Sequence, residues 1–81
     1  MMPNAKDIAS AIRRLHKKRG VTQDVFSGFA GIDNSHMSKI ERGIKTPSIH
    51  TLFKIAAALE IGADELMREI MEESARNHPE A

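Results

Sequence analysis

The chain has 81 residues, 12 Lys and Arg against 11 Asp and Glu, three Phe, and no Cys, Trp or Tyr. That length fits one small domain, residues 1–81, whose thin core must be packed by Leu, Ile, Met and Ala. Without cysteine there is neither a disulfide framework nor a thiolate metal site. No run approaches the ~18 apolar residues of a membrane span and no basic-then-apolar leader opens the chain, so the expectation is a cytoplasmic protein with no membrane contact.

The net charge of +1 conceals an asymmetry. Residues 1–45 hold nine bases and four acids, a surplus of five positive charges. Residues 46–81 hold three bases and seven acids, a deficit of four. A basic half beside an acidic half implies one face suited to a polyanion, set against the plainer alternative of two solvated surfaces.

Residues 1–4 read as a loose start. From Ala5 to Arg19, Ile8, Ala11, Ile12 and Leu15 recur at helical spacing, and Gly20 fits a left-handed cap. In this first helix Arg13 and Lys17, and Arg14 and Lys18, form like-charged i,i+4 pairs that a nearby phosphate would relieve. Thr22 is an N-cap and Asp24 an acid in the first turn of a second helix that runs to Ala30, with Val25, Phe26 and Ala30 inward.

The stretch Gly31–Gly43 organises the rest. Asp33 caps a helix over residues 34–42, and Met37 and Ile40, three apart, share its inward face. Asn34, Ser35, His36, Lys39 and Arg42 are left outward, all able to hydrogen-bond. A helix this short is marginal alone and must lean on its neighbours.

Ser48 caps a fourth helix with Ile49, Leu52, Phe53, Ala56 and Leu59 in its apolar stripe, and Ile61-Gly62 ends it. A fifth helix starts near Ala63 and reaches Ser74 or beyond. Its Ala63, Leu66, Met67, Ile70 and Met71 make a stripe too wide for one side of a small core. Leu66, Met67, Ile70 and Met71 are therefore the candidate dimer surface, with Leu66 and Ile70 also able to pack inward and Met67 and Met71 to meet a twin helix. The core should span about residues 5–73, with 74–81 a loose tail. The pattern is all-α: five short helices in a compact bundle.

Thr22-Gln23, Ala30-Gly31, Ser38-Lys39-Ile40-Glu41-Arg42-Gly43, Pro47-Ser48 and Ala56-Ala57-Ala58-Leu59 fall in register with the phage-repressor helix-turn-helix family, Cro/cI-like and often called Xre-type. The chain resembles that family over about residues 5–70. The resemblance implies a lambda-repressor-like five-helix fold whose second and third helices form the helix-turn-helix. It also implies double-stranded DNA as partner, with Asn34, Ser35, His36 and Lys39 at base edges and Thr22, Gln23, Arg42 and Lys45 at phosphates. Homodimers reading palindromic half-sites about one helical turn apart are implied too. The residue chemistry agrees, since Lys39 can donate to guanine N7 and O6 and Asn34 matches adenine N6 and N7.

Three positions depart from the family pattern. His16 stands where many members have arginine and is expected to touch Glu41. Ser27 replaces a small alanine, and its hydroxyl is expected to bond back to a main-chain carbonyl. Phe29 replaces a polar surface residue and either folds over Gly28 or marks a partner contact.

The resulting expectation is a sequence-specific transcriptional regulator laid out like restriction–modification controller proteins or small phage and plasmid repressors, with no cofactor. The alternatives are an antitoxin that represses its own toxin operon, or a protein–protein interaction module on the same fold. A toxin and RNA polymerase are the further partners considered. Catalysis is not expected, because His16, His36, His50 and His78 show no ligand spacing and the glycines form no phosphate loop.

Overall fold

Polar caps and left-handed turns cut the chain into five helices, and the computed structural model describes residues 2–79. The helices are α1 (Ala5–Arg19), α2 (Gln23–Ala30), α3 (Asn34–Glu41), α4 (Ile49–Leu59) and α5 (Ala63–Asn77), with no strand among the described residues. Thr22 and Ser48 accept from the amides of Val25 and Thr51, satisfying donors that the first turns of α2 and α4 leave without partners. Gly20 and Gly31 take positive φ and close α1 and α2.

Three boundaries differ from the sequence reading. Asn4 is no loose residue: its Oδ1 accepts from the Asp7 amide at 2.9 Å while its own amide donates to Asp7 Oδ2 at 3.0 Å, a reciprocal capping box. α4 ends one residue earlier than the Ile61-Gly62 break, on Glu60 at φ 60, and Gly62 at φ −72 begins α5. The tail expected from residue 74 is also overturned, because Ser74 is buried and α5 continues to Asn77. Glu80 and Ala81 lie outside the described residues.

The core is assembled from Ile12, Phe26, Met37, Ile40, Ile55 and Leu66, each with no exposed surface. Each such side chain contributes roughly 1.5–3 kcal/mol when withdrawn from water. α1 packs against α5, α3 and α4, and α2 packs against α3 and α4, so α3 is held by its two predecessors. Leu15 and Ile8 are partly buried against this cluster.

Two apolar stripes were misphased in the sequence reading. α4 turns Leu52, Ile55, Ala56 and Leu59 inward and leaves Ile49 and Phe53 more than half exposed. Only an arc of the helix meets α2 and α5, and the i, i+3, i+4, i+7 series that fills it runs through Ile55. On α2 the inward line is Phe26, Ser27 and Ala30, so Val25, one residue off that line, is exposed. On α5, Leu66 and Ile70 are buried in the protein's own core and cannot also form an exterior surface. Met67 and Met71 remain outside.

Polar contacts fasten α1 to α5 along its length. Ser10 Oγ donates to Glu73 at 2.7 Å, and Arg14 pairs with Glu69 at 2.8 Å and Glu73 at 3.3 Å. At the end of α5, Asn77 Nδ2 donates to Asp7 Oδ1 at 2.8 Å, and His78 Nε2 lies 3.3 Å from the same oxygen. The Asn77 bond and the Asn4 amide hold the Asp7 carboxyl below the ordinary carboxylate range, and Ser10 and Arg76 do the same for Glu73.

Because these folded-state values are depressed, the stability both carboxylates contribute is present above the ordinary carboxylate range, about pH 4, and disappears as pH falls through the lower folded values. Asp7→Asn should therefore melt at a lower temperature than the parent at pH 7. The difference should narrow as pH falls through the lowered folded-state value, as thermal unfolding followed by circular dichroism over an acid pH series would report.

Candidate nucleic-acid interface

α3 is placed by its inward side. Met37 and Ile40 are fully buried, and Glu41, also buried, faces the junction of three helices. His16 Nδ1 of α1 lies 2.8 Å from Glu41 Oε2, and Gln23 Nε2 of α2 donates to Glu41 Oε1 at 3.1 Å. The expected His16–Glu41 contact is thus present. The second ring nitrogen of His16 lies 2.9 Å from the Val21 carbonyl, and the ring stacks on Phe26 with centroids 4.4 Å apart. A carboxylate withdrawn from water needs such partners, and here they come from α1 and α2 at once.

The far end of α3 is fixed by α1 as well. The Arg13 guanidinium donates to the Glu41 main-chain carbonyl, supplying a partner to an acceptor that the helix end leaves open. The sequence reading missed this brace, although Arg13 is three residues from His16 and so on the same face of α1. Gly43, at φ +74, turns the chain away. A Cβ there would stand 3.2 Å from Lys6 Cγ, so both backbone conformation and space favour glycine.

The outward face of α3 carries the predicted side chains. Asn34, Ser35, Lys39 and Arg42 are exposed and His36 is half-buried. Asp33 Oδ2 accepts from the Ser35 amide at 3.1 Å, and hydrogen bonds from the Ser35 side chain and from the His36 and Ser35 amides hold the Asp33 carboxyl below its ordinary range. An ionised cap of this kind suits the positive end of the helix. Arg42 Nε turns back toward the Ser38 carbonyl at 3.4 Å. Thr22 is exposed with its oxygen engaged in capping α2. Gln23 is partly buried and already donates one amide proton to Glu41, which leaves the second for any other acceptor.

Ser27 does not bond to a main-chain carbonyl as expected. Its hydroxyl donates to Asn34 Oδ1 at 3.2 Å, linking α2 to the first residue of α3. Phe29 does not fold over Gly28 as satellite core: it is 56% exposed and lines a shallow groove with Arg19, Ala57, Ala58 and Glu60.

Charge is distributed unevenly around this face. Arg14 and Arg76 are paired with acids of α5, and Arg19 with Glu60. Lys6, Lys17, Lys39, Arg42 and Lys45 have no carboxylate partner among the described residues. Met67 and Met71 border an apolar groove shared with Met2, Pro3, Ile8, Thr46 and Leu52. Among the described residues no group of three His, Asp or Glu could hold a metal ion, and no helix is long and apolar enough to cross a membrane.

Two short helices joined by a glycine turn, the second braced from behind and polar in front, define a helix-turn-helix module. The helix-turn-helix family model HTH_3 matches residues 12–66. The chain is 32% identical over 66 residues to y4dJ, an HTH-type transcriptional regulator of Sinorhizobium fredii, covering 82% of this chain and 86% of that protein. It is 38% identical over 60 residues to the HTH-type transcriptional regulator SlrR of Bacillus subtilis, covering 73% of this chain but 40% of SlrR, which is much longer. The crystal structure of the restriction-modification controller protein C.AhdI from Aeromonas hydrophila superposes with a TM-score of 0.73 at 29% identity, covering 76% of this chain and 94% of that one. The chain belongs to the HTH_3 helix-turn-helix family of DNA-binding transcriptional regulators, with the lambda-repressor-like five-helix fold.

If Glu41 is the tie between α1 and α3, His16→Ala should destabilise the protein by about 2–3 kcal/mol, since it leaves a buried carboxylate short of a partner and removes a stacked ring. Chemical denaturation of His16→Ala, Glu41→Gln and the double variant would measure the coupling. Losses that add to within about 0.5 kcal/mol would show that the two side chains do not support each other.

Proposed function

We infer that the protein regulates transcription as a homodimer, each copy laying α3 into the major groove of one half of a palindromic operator. The observation that carries this reading is the face of α3 itself. Its one acid, Glu41, is turned inward, while Lys39, Arg42 and Lys45 are exposed without carboxylate partners among the described residues. Such a face is attractive to a phosphate backbone and carries donors and acceptors suited to base edges.

The roles divide by position. Asn34, Ser35 and Lys39 face bases, and His36, partly withdrawn, reaches a base or the adjoining phosphate. Thr22 and Gln23 at the start of α2, and Arg42 and Lys45 past α3, hold phosphates on either side and so fix the register of α3 without carrying sequence information. Met67 and Met71 form the apolar contact between copies. Placed beside the groove that includes Met2 and Leu52, they give α5 an exterior apolar strip that the core does not use.

An interaction module would more often present an apolar or aromatic face where α3 is polar. Selection from random duplex DNA with the purified protein supplies the operator, and a salt titration on it then tests the assignment. The logarithm of the affinity should fall linearly with log salt, at about 0.9 decades per decade for each phosphate contact. Lys39→Ala should relax base preference at one position by about 1–3 kcal/mol, whereas Arg42→Ala should weaken all sequences alike and reduce the salt slope by about one. Binding that neither change affects would point to the interaction module instead.

The dimer has its own test. Sedimentation of the parent protein at tens of micromolar should give twice the monomer mass on DNA, and Met67→Lys with Met71→Lys should halve it. Because both methionines are exposed, the melting temperature of the isolated chain should change little. A monomer both free and on DNA would remove the twin from the scheme.

A further inference from the structure

Ser27 is 3% exposed on α2, a helix to which the scheme above assigns no base contact. Its hydroxyl donates to Oδ1 of Asn34 at 3.2 Å, and Asn34 is the exposed first residue of α3. An asparagine amide is planar, with an accepting oxygen on one branch and two N–H donors on the other. An oxygen fastened inward to a buried hydroxyl turns the NH2 group outward. We propose that Ser27 is a specificity-determining positioning residue that presents Asn34 to DNA as a hydrogen-bond donor. The proposal rests on the reading of α3 as the groove helix.

The chemical consequence is a change of preferred base. An unconstrained asparagine pairs with adenine in the major groove, accepting from N6 and donating to N7. Oδ1 keeps a second lone pair, but with the oxygen drawn back to Ser27 on α2 that lone pair no longer lies in the groove beside the NH2 group, and the accepting half of that fork is turned away. The two amide protons then match an edge with two acceptors, and guanine N7 and O6 are that edge. The base pair faced by Asn34 is therefore read as guanine while Ser27 holds the oxygen, and as adenine once the oxygen is released.

Ser27→Ala is a mild change for the fold. Alanine is the better helix former, and the Asn34 oxygen it frees sits on an exposed residue where water can replace the lost donor. Thermal melts would verify that the variants stay folded.

The test is selection of binding sites from random duplex DNA by the full chain, its Ser27→Ala variant and its Asn34→Ala variant, followed by competition between duplexes that differ at one position. The position whose base preference disappears in Asn34→Ala is the one Asn34 reads. The parent should prefer guanine over adenine there by about fivefold or more, and Ser27→Ala should erase or reverse that ratio while other positions keep theirs. A parent preference for adenine at that position, or a Ser27→Ala selection identical to the parent's, would overturn the proposal and leave the groove assignment standing. No change at any position in Asn34→Ala would overturn both the proposal and the base-reading role of Asn34. No selected sequence from the parent would overturn the DNA-reading scheme as a whole.

Discussion

The buried carboxylate of Glu41 is the constraint on which the arrangement of the first three helices depends. An unpartnered charge in that position would cost several kcal/mol, and His16 from α1 and Gln23 from α2 offset that cost by reaching it together. Satisfying it fixes the angle between α2 and α3 and seats α3 on α1. The stack of His16 on Phe26 links that polar junction to the apolar core. One side chain therefore sets both the geometry of the helix-turn-helix and the side from which α3 is held.

The same residue shapes the electrostatics. Glu41 is the only carboxylate within α3, and turning it inward leaves an outward face with no acid beyond the Asp33 cap. On α5, Glu69 and Glu73 are matched by Arg14 and Arg76, and Glu60 before it by Arg19. Among the described residues the cations without a carboxylate partner lie mostly on α1 and around the end of α3, with Lys54 and Arg68 the exceptions. A chain of net charge +1 can therefore present a locally basic face, and the field near that face is what a polyanion meets.

Much of this was legible because caps and periodicity are local signals. Thr22, Asp33 and Ser48 announce three helix starts, Gly20 and Gly31 two ends, and Met37 with Ile40 the buried side of α3. The errors arose where a local rule had two solutions. The apolar residues of α4 support two stripes, and only contact with α2 and α5 selects the one through Ile55 over the one through Ile49 and Phe53. The break before α5 was assigned to a glycine, yet Glu60 takes the left-handed turn, a conformation that costs a non-glycine residue about 1–2 kcal/mol and has no sequence signature. Asp7 and Asn77 are 70 positions apart, so the contact that orders the end of α5 has no short-range trace.

The site itself was legible as a list of side chains but not as a set of hydrogen-bonding states. Spacing places Asn34, Ser35 and Lys39 outward, and it is silent on what stands behind each. In the folded protein the Asn34 side chain is tied to Ser27, and both the amide and the hydroxyl of Ser35 to the Asp33 cap, so two of the three are held in place before any ligand arrives. Lys39 has no such tie and keeps its rotamer freedom. Immobilising a free side chain on binding costs roughly 0.5–1.5 kcal/mol, a loss the tied residues have largely incurred on folding. In the proposed complex, specificity on this face would therefore draw more on short side chains fixed by the fold than on the long flexible one. The residues that do the fixing lie on α2 and in the cap, outside the surface that would touch DNA.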